Sequence, residues 1–248
     1  MDEEDKSLAL ACGFSLITNK LRYCGPKDAY TDFYNVIKGM DYDKEKIKKH
    51  LMRYEGLYVY LKGIADKSRK EMFDYDVVES YWIGNSLLDK FDANALKKMV
   101  LGLAKRGLPE KYAKKMAKQM PSGMNPHHSF NVLYVGVGMT TGSVPTNIKT
   151  MNSCIVSVGK VVKISNDKLT LKLSPIEIGG DKLMFGKETM KKVAYNKEFL
   201  PGLKKNDDVA VHWGYACKIL TKKEVFSLKK YTQKNMDALN RAKFFSSA

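Results

Sequence analysis

The residues best able to do chemistry in this chain are its thiols and imidazoles. Cysteine occupies positions 12, 24, 154 and 217, and histidine positions 50, 127, 128 and 212. No two cysteines are spaced as Cys-x-x-Cys, which argues against a zinc ribbon. In a reducing compartment all four are expected as thiols. Cys24 stands in Tyr23-Cys24-Gly25-Pro26, where Gly-Pro forces a turn and sets the thiol at an exposed helix start. A helix N-terminus there would lower its pKa. His127 and His128 follow Asn125-Pro126; on a strand such neighbours point to opposite faces, so only one can serve a given site. One of these imidazoles, with Cys24 and Cys154, would make a soft donor set suited to zinc or iron. A thiolate at Cys154 would be favoured by a nearby imidazole or ammonium group, for which His212 and Lys160 are the candidates. The plain alternatives stay open: a buried cysteine, a turn residue, a satisfied histidine. His50, in Lys48-Lys49-His50, is expected on a solvated helix face.

The chain has 248 residues, 44% hydrophobic and 28% charged, a balance that suits a globular protein and excludes a disordered one. No apolar run approaches a membrane span. The acidic opening Met1-Asp2-Glu3-Glu4-Asp5 is unlike a secretory leader, so a cytoplasmic location with no membrane partner is expected. The net charge of +16 is uneven, +5 over residues 1–125 and +10 over 151–248. A basic second half could bind nucleic acid or an acidic partner. Only 5 of the 43 basic residues are Arg, however, and nucleic-acid recognition leans on Arg forks. There is no phosphate-binding glycine loop, no serine nucleophile elbow and no His-Glu-x-x-His.

The elements that must position these residues divide the chain into two characters. Apolar residues at helical spacing predict helices over 8–18, 28–37, 44–64, 76–91, 94–103 and 110–120. Residues 130–137, Phe-Asn-Val-Leu-Tyr-Val-Gly-Val, read as a short β run. The Gly/Thr/Ser/Pro-rich stretch 138–146 is the best boundary. Beyond it strands are expected over 154–164, 168–173, 209–212 and 215–220. Thr221-Lys222-Lys223-Glu224 then forms a capping box that opens a final helix. The expected class is α+β: an all-helical N-terminal domain, 1–142, ending in the short β run, and a small OB-like β-barrel with a C-terminal helix, 150–248. Tyr81-Trp82-Ile83-Gly84-Asn85 reads as helix packing.

Two blocks of the second half resemble the HypC/HupF family of hydrogenase-maturation chaperones. Ser153-Cys154-Ile155-Val156-Ser157-Val158-Gly159-Lys160-Val161 is similar to that family's opening, in which a cysteine leads into Pro-Gly-Lys-Val. Asp207-Asp208-Val209-Ala210-Val211-His212-Trp213-Gly214-Tyr215-Ala216 is similar to its Gly-Asp-x-Val-x-Val-His-x-Gly-x-Ala strand pair. The resemblance implies that Cys154 holds iron bearing cyanide and carbon monoxide, shares it with a maturation-type protein partner and hands it on. The departures are an internal cysteine, Val158 for the proline, Asn206 for the glycine and a longer middle region over 177–203. The whole chain also resembles an uncharacterised prokaryotic family, a domain of unknown function, through Tyr23 to Pro26, Tyr81 to Asn85 and His127-His128-Ser129-Phe130. The first expectation is therefore a non-enzymatic adaptor or metal carrier acting through Cys154. The second is a thiol- or metal-dependent enzyme with its site between the halves, and the third a basic barrel that binds nucleic acid.

Overall fold

The computed structural model describes residues 2–245. The order begins with α1 (Glu3–Lys20), α2 (Tyr30–Lys38), α3 (Lys44–Met52), α4 (Glu55–Ser68), α5 (Tyr75–Trp82), α6 (Ala93–Leu103) and α7 (Glu110–Lys118). α1 is the centre of this half. Its Asp2/Asp5 capping box closes the first turn, and Leu8, Ala11, Cys12, Phe14 and Leu16 are buried on nearly every side. The helix expected over 44–64 is two helices. Tyr54 is extended and caps α4, and the Arg106 guanidinium donates to the freed carbonyls of Met52 and Tyr54. The helix expected over 76–91 stops at Trp82, and a 3₁₀ turn capped by Asn85 follows over Ser86–Lys90.

The β run expected over 130–137 is a correction. Those residues continue a single helical turn, α8 (His128–Phe130), as a π-helix over Asn131–Gly136. Val132, Leu133, Tyr134 and Val135 are all buried, and a fully buried segment has no periodicity to separate helix from strand. A second correction concerns Cys154. It does not start a strand but ends α9 (Ile148–Cys154), a helix opened by an Asn147/Thr150 capping box.

The second half holds β1 (Ser157–Ile164), β2 (Lys168–Leu173), β3 (Ile176–Gly179), β4 (Lys182–Phe185), β5 (Thr189–Ala194), β6 (Asp208–His212) and β7 (Tyr215–Leu220), then α10 (Lys222–Arg241). Five strands follow one another as β1-β2-β5-β7-β6, and β6 pairs back onto β1. The link between β5 and β7 is one parallel bridge, Ala194 to Tyr215. The longer middle region contributes the β3-β4 hairpin and β5. The α+β class thus holds, with a helical first half, a sheet region and a closing helix. Thr221 and Glu224 form the expected capping box of α10.

Two cores result. Val161, Leu169, Leu171, Val193, Val209 and Val211 fill the space inside the strands. A larger core runs from α1 through α8 and α9 to α10, and includes Ala210 of β6. Successive residues of a strand face opposite ways, so Val209 and Val211 point into the strand core while Ala210 and His212 point at the helices. His50 is a further correction: it is buried, with Nε2 2.9 Å from Asp32. No helix among the described residues is long and apolar enough to cross a membrane.

Candidate metal centre

Three of the six singled-out side chains meet at the seam between helices and strands. The ligand-capable atoms of His128, Cys154 and His212 all lie within 4.8 Å of one another. Cys154 Sγ is 3.8 Å from His128 Nε2 and 3.9 Å from His212 Nε2. Each arrives on a different element: the start of α8, the end of α9 and the outer face of β6.

Both imidazoles are held from behind. His212 Nδ1 lies 3.0 Å from the Phe14 carbonyl; since that oxygen only accepts, Nδ1 carries the proton and the Nε2 lone pair faces the thiol. His128 Nδ1 lies 3.0 Å from the Tyr81 hydroxyl, which can donate or accept, and its Nε2 lies 3.0 Å from the Cys154 carbonyl. With Nε2 protonated, His128 donates to that carbonyl and accepts from Tyr81. In the other tautomer Nδ1 donates to Tyr81 and Nε2 is free to bind.

The walls are aromatic. Trp82 lies 4.7 Å from His128 and 5.5 Å from His212, ring centre to ring centre, and stacks on Phe14 at 4.9 Å. Burial in this apolar wall sets the protonation states. It pushes the Cys154 thiol up to about 12 against the pull of the Trp213 indole N–H. It lowers His212 to about 4 despite the Phe14 carbonyl, and His128 well below 6.5, with His212 adding to the shift. A neutral thiol beside two neutral imidazoles is the resting arrangement, not a thiolate–imidazolium pair.

Trp213 is held in an unusual conformation. With Gly214 it makes the two-residue turn between β6 and β7, and both have positive φ, 48° and 70°. Asn or Gly is the ordinary first residue of such a turn, and a bulky residue there is strained. Its amide donates to the Ser153 carbonyl at 2.6 Å, tying the turn to the helix that carries Cys154. Its indole Nε1–H is buried with no hydrogen-bond partner among the described residues. Strain of this kind persists where surrounding contacts enforce it, often at functional sites.

The remaining candidates lie elsewhere. His127 caps α8: its Nδ1 accepts from the Ser129 amide and pairs with Ser129 Oγ at 2.9 Å. Burial lowers its pKa to about 3. Cys24 is outside the three-donor group and partly buried, not at an exposed helix start as expected. Burial first, and then Cys154 and Glu55, raise its pKa, the reverse of the lowering expected from a helix N-terminus. Its loop is fixed by Gly25, at φ 79°, against which the Tyr54 ring packs closer than any Cβ would allow. Lys160 pairs with Asp208 at 3.0 Å on an exposed strand face and is not a neighbour of the thiol. Sequence reasoning missed the residues that build the seam. Asn235 of α10 accepts from the Asn125 amide and donates to the Asn125 carbonyl and to Ser129 Oγ, clamping the loop that delivers both histidines. The available signal was polar: an Asn on the apolar stripe of α10, and a Tyr-Trp pair whose hydroxyl and indole need partners once buried.

Neither curated proteins nor solved structures give a match to this chain. The description of one family of unknown function (DUF6390) matches residues 10–245, nearly the whole sequence, and the chain belongs to that family.

Proposed function

We propose that this protein carries a soft or borderline transition-metal ion on His128 Nε2, Cys154 Sγ and His212 Nε2. The observation that carries the reading is the three-donor group itself, with each imidazole already anchored through its other nitrogen. Metal-binding histidines characteristically have such a partner, because it orients the ring and fixes the tautomer. The donor set excludes magnesium, calcium and manganese, which prefer oxygen. Zinc and iron, the ions expected from the sequence, fall within it.

The HypC-like reading fits this carrier role in its scaffold and donor positions, not in its iron cargo. In it the ring of five strands is an OB-like scaffold, Cys154 and His212 sit at the positions the resemblance marks, and a maturation-type protein receives the cargo. A thiol enzyme is the weaker reading, because the buried thiol near 12 and the imidazole near 4 do not form the ion pair that activates a nucleophile.

The test is metal analysis of protein purified without oxygen, on the parent chain and on Cys154→Ala, His128→Ala, His212→Ala and Cys24→Ala. One ion per chain is expected in the parent and in Cys24→Ala, with loss in the other three. Metal content unchanged in Cys154→Ala would defeat the reading.

A further inference from the structure

We infer that the ion held by His128, Cys154 and His212 is monovalent copper, an inference that rests on the carrier reading above. Charge is the first argument. A thiolate and two neutral imidazoles sum to −1, and the group contains no Asp or Glu. A monovalent ion makes the centre neutral. A divalent ion leaves +1 behind walls built of Phe14, Tyr81 and Trp82, and an isolated charge in an apolar enclosure is strongly penalised.

Coordination number is the second. Structural zinc takes four protein ligands, and catalytic zinc three plus water. Here three donors converge in an enclosed place, with Cys154 7%, His128 4% and His212 1% exposed. Bonds of about 2.3 Å to sulfur and about 2.05 Å to nitrogen put these donors about 3.8 Å apart at trigonal angles and about 3.6 Å apart at tetrahedral ones. The two sulfur–nitrogen separations, 3.8 and 3.9 Å, lie near both values, so the count of three donors and not their spacing carries this argument. The two imidazole nitrogens lie no more than 4.8 Å apart and would have to stand about 3.6 Å apart in a trigonal set. The same enclosure disfavours an iron bearing diatomic ligands, which needs open positions. Ligand softness is the third argument: thiolate ligation selects monovalent copper, and imidazole suits copper as well.

Loading is a proton exchange and not a redox step. Copper(I) forms a bond to Cys154 Sγ, the thiol proton leaves to solvent, and no electron moves. His128 shifts its proton from Nε2 to Nδ1, where Tyr81 accepts it, and Nε2 completes the set.

The experiment is an anaerobic competition for copper(I) against a chromophoric copper(I) chelator, with parallel titrations of zinc and ferrous iron. Copper-edge X-ray absorption counts the donors, and circular dichroism checks that each variant is folded. One copper(I) per chain is expected, bound by one sulfur and two nitrogens and at least a hundredfold tighter than zinc. Cys154→Ala and His212→Ala should each weaken it more than a hundredfold, and Cys24→Ala and Cys217→Ala should leave it unchanged. If zinc or iron binds one per chain through Cys154 and copper(I) is held no tighter, the copper inference falls and the carrier reading stands. If no ion is held, both fall. Copper(I) retained by folded Cys154→Ala places it on other thiols and overturns the inference.

Discussion

The interior of the strand ring and the seam between helices and strands are both buried, yet they are built to different rules. The ring interior is mainly aliphatic, with Val161, Leu169, Leu171, Val193, Val209 and Val211 joined by Tyr195. The seam buries Asn125, His127, His128, Ser129, His212 and Asn235 among Phe14, Tyr81 and Trp82. A protein stabilised only by burial has no use for that many polar groups, since each must find a partner to offset its lost hydration. The ring therefore supplies stability, and the seam applies part of that stability to hold donors in place.

Perturbing each region separately breaks or sharpens this contrast. The largest effect should come from Leu171→Ala, which empties space in the ring interior and should cost about 2–5 kcal/mol of unfolding free energy in denaturant titration. If the seam holds an ion as proposed, metal per folded chain should not change; loss of metal in the still-folded variant would dissolve the distinction. Acid should act on the seam. The fold keeps His212 neutral down to about 4 and His127 to about 3, whereas the unfolded chain takes up those protons near 6.5. Stability is then fully present above pH 6.5 and is lost as pH falls, by about 1.4 kcal/mol per pH unit for each such histidine. For His212 that amounts to roughly 3 kcal/mol by pH 4, read from unfolding curves across that range, and the slope should be shallower in His212→Gln. Next is Asn235→Ala, which strips partners from the Asn125 amide and Ser129 Oγ and should cost about 1–3 kcal/mol while weakening metal binding through the displaced His128. Smallest is Lys160→Ala: its exposed pair with Asp208 should be worth less than about 1 kcal/mol, with no change in metal affinity. A large loss of metal there would return Lys160 to the site.

Much of the fold was legible because its signals are local. The alternation of Lys168–Leu173 and the Thr221/Glu224 box each announce an element from a few residues, and both elements are found where they were expected. The misreadings share a cause in tertiary context. Residues 132–136 are buried all round, so no period marks them as helix or strand, and they fold as part of a π-helix. Cys154 ends a helix whose Asn-x-x-Thr start is a weaker signature than Ser/Thr-x-x-Glu. β5 escaped notice because only Val193 of its six residues is fully buried. The site was legible as a set of candidates but not as a triad. Nothing local says that His128 and not His127 faces the thiol, because the choice is made by Ser129 and Asn235 turning His127 away. His212 could be placed on a strand, but its facing direction depends on which side of that strand the helices cover.

The hydrogen bond from His212 to the Phe14 carbonyl spans 198 positions, and it bears on when the seam can close. During synthesis at roughly 5–20 residues per second, the 58 positions from Cys154 to His212 take roughly 3–12 s to appear. Over that interval the nascent chain holds His128 and Cys154 without His212. When β6 does emerge, it must dock on an α1 made long before in order to aim its imidazole. The three side chains therefore meet only once β6 has been made, and a chain stalled short of β6 cannot bring them together.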